Sequence, residues 1–187
     1  MNTKQKNLST VSMVLCGMFA ALVAIGAFIQ IPVPYMDYFT LQFFFVLLAG
    51  LILGADKGAI SVGCYVLLGL VGVPIFAAGG GIGYIFRPSF GYLVGFIVSA
   101  YVTGKVCEKL KASYKNYLLA CLAGFVVTYA IGIVYKFIIL NFYAHTPATL
   151  GVIFLSCFPL DMPGDFVLCL LAAGVGLRMR KSGFYLS

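Results

Sequence analysis

The side chains able to do chemistry are few and scattered. The chain has one histidine, His145, and five acids, Asp37, Asp56, Glu108, Asp161 and Asp165. No Ser-His-Asp set and no carboxylate pair at a suggestive spacing can be drawn from that inventory, so binding is favoured over catalysis. Gly79-Gly80-Gly81 lacks the Gly-Lys-Ser/Thr ending of a phosphate-binding loop. The most informative charge is Lys136, which interrupts the apolar stretch 128–140. A charged residue in mid-membrane costs at least about 2.5–3.5 kcal/mol on insertion scales. It calls for a carboxylate partner or an anionic ligand, the alternative being snorkelling toward a headgroup. Asp165 follows Pro163-Gly164 and opens the last apolar stretch. There a carboxylate can cap free N–H groups, accept from ligand N–H groups, or divide its oxygens between the two. Arg87 is the one basic residue expected on the outer face, available to a substrate carboxylate or to Asp161 or Asp37. Gln42, in the first turn of the second apolar stretch, can point into the same pocket.

The elements that must hold these residues are membrane helices. Hydrophobic residues make up 63% of the 187-residue chain and charged residues 9%, against about 45–50% and about 25% in soluble domains. No soluble core of this length hides so much apolar surface, and lipid removes the difficulty. The first apolar stretch is too long for a signal peptide and has no convincing cleavage site, so it reads as a permanent span. The net charge of +7 reflects basic residues at span ends rather than a stripe interleaved with aromatics, which argues for topology signals and against nucleic acid. The cysteines Cys16, Cys64, Cys107, Cys121, Cys157 and Cys169 form no CxxC and have no histidine at ligand spacing. They read as small buried hydrophobes, with no metal, disulfide framework or cofactor implied.

Six spans are expected, over residues 11–31, 39–54, 58–76, 90–107, 117–142 and 150–177, the second short and the last broken by Pro159, Pro163 and Gly164. Segment 77–89 is too rich in glycine for a helix and too apolar for a solvated loop. Irregular backbone at membrane depth is tolerated only when it is buried in protein or lines a cavity. This segment and the break at 159–165 therefore predict one shared outer pocket. With six spans, Lys4, Lys6, Lys57, Lys105, Lys109, Lys111, Lys115, Arg178, Arg180 and Lys181 fall on one side and Arg87 on the other. That asymmetry makes both termini cytoplasmic. The chain reads as a single transmembrane substrate-binding domain over 1–187, all-α. The first span also carries Gly17, Ala20, Ala21 and Ala24 at small-xxx-small spacing, which lets helices approach closely within the chain or with a partner.

An ordered series of segments then carries a resemblance. It comprises Ala20-Ala21-Leu22-Val23-Ala24-Ile25-Gly26-Ala27, Ile31-Pro32-Val33-Pro34, Phe39-Thr40-Leu41-Gln42 and Val46-Leu47-Leu48-Ala49-Gly50-Leu51-Ile52-Leu53-Gly54. It continues through Lys57-Gly58-Ala59, Tyr65-Val66-Leu67-Leu68-Gly69, Gly72-Val73-Pro74-Ile75-Phe76-Ala77, Pro88, Gly91-Tyr92-Leu93-Val94-Gly95-Phe96 and Pro163-Gly164-Asp165. The chain resembles the biotin-specific substrate-binding subunit (BioY family) of the energy-coupling-factor (ECF) vitamin transporters, nearly end to end and most densely over 17–96. The resemblance implies a six-helix subunit (an S component) in a prokaryotic cell membrane, capturing its vitamin from outside. It implies association with a transmembrane coupling subunit and two cytoplasmic ATPases, with Ala20 and Ala24 matching the family's docking motif. Asp165 would take ring N–H donors, and Lys136 or Arg87 would face the carboxylate. Phe76, Tyr84, Phe90 or Tyr92 would flank the apolar chain, with the backbone of Gly79, Gly80 and Gly81 close by.

Two departures stand out. Leu168 occupies a position where the family usually has lysine, three residues after the aspartate. Arg87-Pro88-Ser89-Phe90-Gly91-Tyr92 replaces the usual Gly-Pro-Thr-Gly-Gly-Tyr. Either a relocated cation keeps biotin bound, or the pocket is retuned for lipoate or a biotin precursor. A rival from another class is a membrane-embedded transferase using Asp165 and His145 as acid and base.

Overall fold

A computed structural model describes residues 10–32, 38–144, 146, 148–157 and 161–183. His145, Asp37, Lys4, Lys6 and Pro159 lie outside the described residues. The order is helix α1 (Thr10–Phe28), a two-stranded antiparallel hairpin of β1 (Gln30–Pro32) and β2 (Tyr38–Thr40), α2 (Gln42–Leu53) and α3 (Ala55–Val71). A 3₁₀ helix (Ile82–Phe86), α4 (Phe90–Lys109) and α5 (Tyr114–Ile138) follow; α5 runs into a π-helical turn at Ile139–Tyr143. The chain then forms α6 (Leu150–Cys157) and α7 (Asp161–Lys181).

Helix α2 is the centre of the bundle. Val46, Leu47, Ala49, Leu51, Ile52 and Leu53 are all essentially inaccessible, and α1, α3, α4 and α7 pack around it. A helix shielded by protein on every side need not match the thickness of the lipid. Close approach depends on absent side chains: a Cβ on Gly104 would lie 2.6 Å from Ala55 Cα. Gly54 joins α2 to α3 without a loop, at φ 81°, a backbone conformation that favours glycine. Large apolar side chains on α1, α5 and α7, among them Val14, Ile25, Val126, Val134, Phe166 and Leu171, point outward, as lipid-facing residues do.

The architecture is an all-α multi-span membrane fold, and it departs from the sequence expectation in several places. Among the described residues, four helices are long and apolar enough to cross a bilayer: α1, α4, α5 with its π-helical extension, and α7. The second expected span, already expected to be short, is a 12-residue helix, and α3 ends at Val71, before the expected end at 76. Pro163 and Gly164 do not break a helix but lie in the first turn of α7, which starts at Asp161. Proline is tolerated there because its missing N–H has no intrahelical partner to lose. Asp165 is therefore inside α7 rather than at its cap. The glycine-rich segment is not wholly irregular, since Ile82–Phe86 closes a 3₁₀ helix with Tyr84 N–H donating to Gly81 O at 3.0 Å.

Basic residues gather at one end. Glu108 Oε1 accepts the Ala55 N–H at 2.9 Å and pairs with Lys105 at 3.6 Å. Arg180 donates to the Tyr117 hydroxyl at 3.0 Å. These contacts bring the α2–α3 junction, the α4–α5 turn and the end of α7 together, with Lys57, Lys109, Lys111, Lys115, Arg178 and Lys181 nearby in the chain.

Candidate functional site: a cup at the other end of the bundle

At the opposite end, the starts of α2, α4 and α7 and the end of α5 surround a cavity of about 110 Å³. Its apolar wall includes Phe39, Phe43, Ala77, Ala78, Leu93 and Phe96, with the rings of Tyr84, Tyr92 and Tyr129 between them. Its polar groups are Thr40, Gln42, Ser89, Lys136, Asp161 and Asp165.

Each polar group is held by a particular element. Gln42 is 4% exposed and sits in the first turn of α2. Its Nε2 donates to the Tyr65 hydroxyl, and its Oε1 accepts from Thr40 Oγ1 at 3.2 Å. Tyr65 passes the chain on by donating to Ile75 O at 3.1 Å. On the other side, the Tyr129 hydroxyl donates to Asp165 Oδ2 at 2.7 Å. One carboxylate oxygen is thus anchored on a side chain that lines the cavity. The Tyr129 ring meets Tyr92 edge-on at 5.8 Å, and the Tyr92 hydroxyl contacts Cys157 Sγ at 3.1 Å. Lys136 lines the cavity half-buried. Among the described residues the ion pair within salt-bridge distance is Lys105–Glu108, so Lys136 has no carboxylate partner there. The Ser89 hydroxyl oxygen is buried without a hydrogen-bond partner.

Among the residues singled out from sequence, Gln42, Tyr84, Tyr92, Lys136 and Asp165 come together around the cup. Gly79, Gly80, Phe90 and Arg87 do not line it. Gly80 is pressed between backbone groups: an added Cβ would lie 2.9 Å from the Val73 carbonyl carbon. Gly79 sits in a tight turn, with φ 109° and its O accepting from the Phe76 N–H at 2.8 Å. Phe90 is buried against Tyr135 at 5.8 Å. Arg87 is exposed, its guanidinium 5.3 Å from the centre of the Tyr84 ring. Phe76 is buried under the loop between Tyr65 and Tyr84. Leu168, 6% exposed, joins the core one turn below Asp165. On α1, Ala20 is buried within the bundle and Ala24 half-buried, while Gly17 and Ala21 are exposed. Tyr129, Ser89 and Asp161 were not singled out as ligand contacts. Tyr129 carried a signal, lying two turns from Lys136 on the same helix.

The sequence and the fold are similar to those of known proteins. The sequence profile of the BioY family matches residues 1–183. The chain belongs to the BioY family. It is similar to the "Probable biotin transporter BioY" of Lysinibacillus sphaericus, 40% identical over 177 residues, covering 94% of this chain and 90% of that protein. It is also similar to the "Biotin transporter BioY" of Thermotoga maritima, 38% identical over 173 residues, covering 90% and 95%. Its fold matches the crystal structure of the S component for biotin from an ECF-type ABC transporter, with TM-score 0.83 and 25% identity over 99% of this chain and 97% of that one. As a BioY-family chain it is a multi-pass protein of the plasma membrane and the substrate-binding subunit of an ECF-type vitamin transporter. BioY membership is a transport role and not a catalytic one, which sets aside the transferase reading built on Asp165 and His145.

Proposed function

We propose that this chain captures biotin in the cup. The observation that carries the reading is the Tyr129–Asp165 pair: a cavity-lining carboxylate with one oxygen held at 2.7 Å and a second oxygen beside it, in a cup walled by aromatic rings. Such an oxygen wants an N–H donor, and biotin's fused ring supplies ureido N–H groups. Lipoate has none, and its dithiolane ring would leave Asp165 unmatched at the cost of a buried acceptor. Between the two cations proposed for the carboxylate, Lys136 lines the cup and Arg87 does not, which favours Lys136 as the charge that stands in for the family lysine replaced by Leu168.

In this reading residues 1–187 form one substrate-binding domain with six crossings. Helices α1 to α5 make one each, and α6 with α7 makes the sixth, their short members shielded by the bundle. The basic end faces the cytoplasm, with both termini, and the cup faces outward. Uptake needs a transmembrane coupling subunit and two cytoplasmic ATPases, because a binding cup has no energy source of its own. The small-residue face of α1 is the docking surface, with Gly17, Ala21 and Ala24 along the exposed stripe and Ala20 behind it.

The test is equilibrium binding of biotin, lipoate and biotin precursors to the detergent-purified chain. Biotin should bind most tightly. Failure of all of them at micromolar concentration sinks the proposal, and a preference for lipoate reassigns the ligand.

A further inference from the structure

The cup's polar groups are not spread evenly, and the helix register shows how they divide. Helices α4 and α5 are antiparallel neighbours with close glycine contacts. A Cβ on Gly91 would strike Tyr135, one on Gly132 would strike Tyr92, one on Gly95 would meet Thr128, and one on Gly124 would meet Ser99. Extending that register to the start of α4 sets Ser89 level with Lys136. Tyr129, which holds Asp165, lies seven residues back along α5, about 10 Å at the rise of an α-helix.

The pair at the upper level is chemically incomplete. Ser89 immediately precedes α4, where serine ordinarily caps free N–H groups. Here it makes no capping hydrogen bond, and its buried oxygen has no partner. Lys136 faces the same cavity without a carboxylate in reach among the described residues. A buried hydroxyl and a half-buried ammonium left unmatched are each costly. One ligand group satisfies both: an anion with several acceptor lone pairs, which takes an O–H and an N–H together.

We propose that Ser89 and Lys136 form a two-point seat for the ligand's carboxylate, so that the cup accepts only the free acid, with its N–H end at Asp165 and its carboxylate about 10 Å away. This rests on the biotin reading above, and the experiment separates the two. Binding of biotin and of biotin methyl ester is measured on the purified full-length chain, wild type, Ser89→Ala and Lys136→Gln. The wild type should hold biotin at least about tenfold more tightly than the ester. Ser89→Ala should weaken biotin about fivefold, and Lys136→Gln more, and each should weaken the ester, which keeps one carbonyl acceptor but no charge, by a clearly smaller factor. Ser89→Ala removes a hydroxyl with no intramolecular bond, so an unchanged melting temperature is expected alongside. Equal wild-type affinity for acid and ester, or a Ser89→Ala loss that is the same for both, overturns the seat while leaving biotin capture standing. Wild type that binds neither compound defeats the underlying reading instead.

Discussion

The two walls of the cup are built on opposite principles. The glycine-loop wall, from Val73 to Arg87, is tied down by its own backbone. Gly81 N–H donates to Gly69 O at 2.7 Å, Phe76 and Gly79 exchange hydrogen bonds, and the hydroxyls of Tyr65 and Tyr135 reach Ile75 O and Ile85 O. Phe76 fills the space beneath, where Gly69 leaves room for its ring. The other wall includes the first turns of α7, and α6, which precedes α7 in the chain and adds no residue to the cavity lining, has few anchors. Ile153 and Cys157 are the buried residues of α6, and Leu150, Val152, Phe154 and Leu155 are exposed. Yet this wall and its neighbour α5 carry the ionisable groups of the cup, Lys136, Asp161 and Asp165. One wall supplies shape and the other supplies chemistry, so damage to each should read out differently.

The largest effect is expected on the chemical wall. Asp165→Asn keeps the size of the side chain but replaces one oxygen by an NH2 group that donates and cannot accept. A buried hydrogen-bonding group left without its partner costs about 1–3 kcal/mol, so biotin affinity should fall by up to about a hundredfold in equilibrium binding. The ligand-free melting temperature should hold, because the amide oxygen still accepts from the Tyr129 hydroxyl. A large drop in melting temperature with little change in affinity would make Asp165 structural and erase the contrast between the walls.

The next effect belongs to the shape wall and has the reverse signature. In Gly80→Ala the new Cβ would lie 2.9 Å from the Val73 carbonyl carbon and 3.1 Å from Gly69 O, both backbone atoms that cannot swing aside. Overpacking of this kind costs about 1–3 kcal/mol. The melting temperature should drop, and saturating biotin should recover part of the loss by mass action. An unchanged melting temperature would mean that the loop yields easily and is not the rigid side of the cup.

Much of this was legible in the sequence, and the limits have physical causes. Composition and charge asymmetry gave the lipid-embedded bundle because they are sums over many residues. Lys136 and Asp165 were visible because a charge in an apolar run has to be compensated. Gly79 and Gly80 were visible too, but glycine serves close ligand approach and close backbone packing equally well, and only three-dimensional contacts distinguish them. Arg87 lay in the right segment and turned onto Tyr84 instead of inward. Tyr129 and Ser89 escaped because hydroxyls are common in membrane helices and only a partner, or the lack of one, marks them. The short second span was visible as well, but not that protein encloses α2 along its length, because hydropathy reports how oily a segment is and not whether lipid or protein surrounds it.

The smallest effect tests how the loosely anchored helix reaches the ligand. Cys157 at the end of α6 contacts the Tyr92 hydroxyl at 3.1 Å, Tyr92 meets Tyr129 edge-on, and Tyr129 holds Asp165. Cys157→Ala removes the first link of that series without touching the cavity lining. A weak sulfur hydrogen bond predicts about a threefold loss of biotin affinity, and Cys157→Ser should restore it because serine offers the same hydrogen-bonding capacity in less space. If the links act in series, Tyr92→Phe combined with Cys157→Ala should cost no more than Tyr92→Phe alone in a double-mutant cycle. Costs that add in full would mean that α6 merely covers the cup, and the division of labour would then stop at α7.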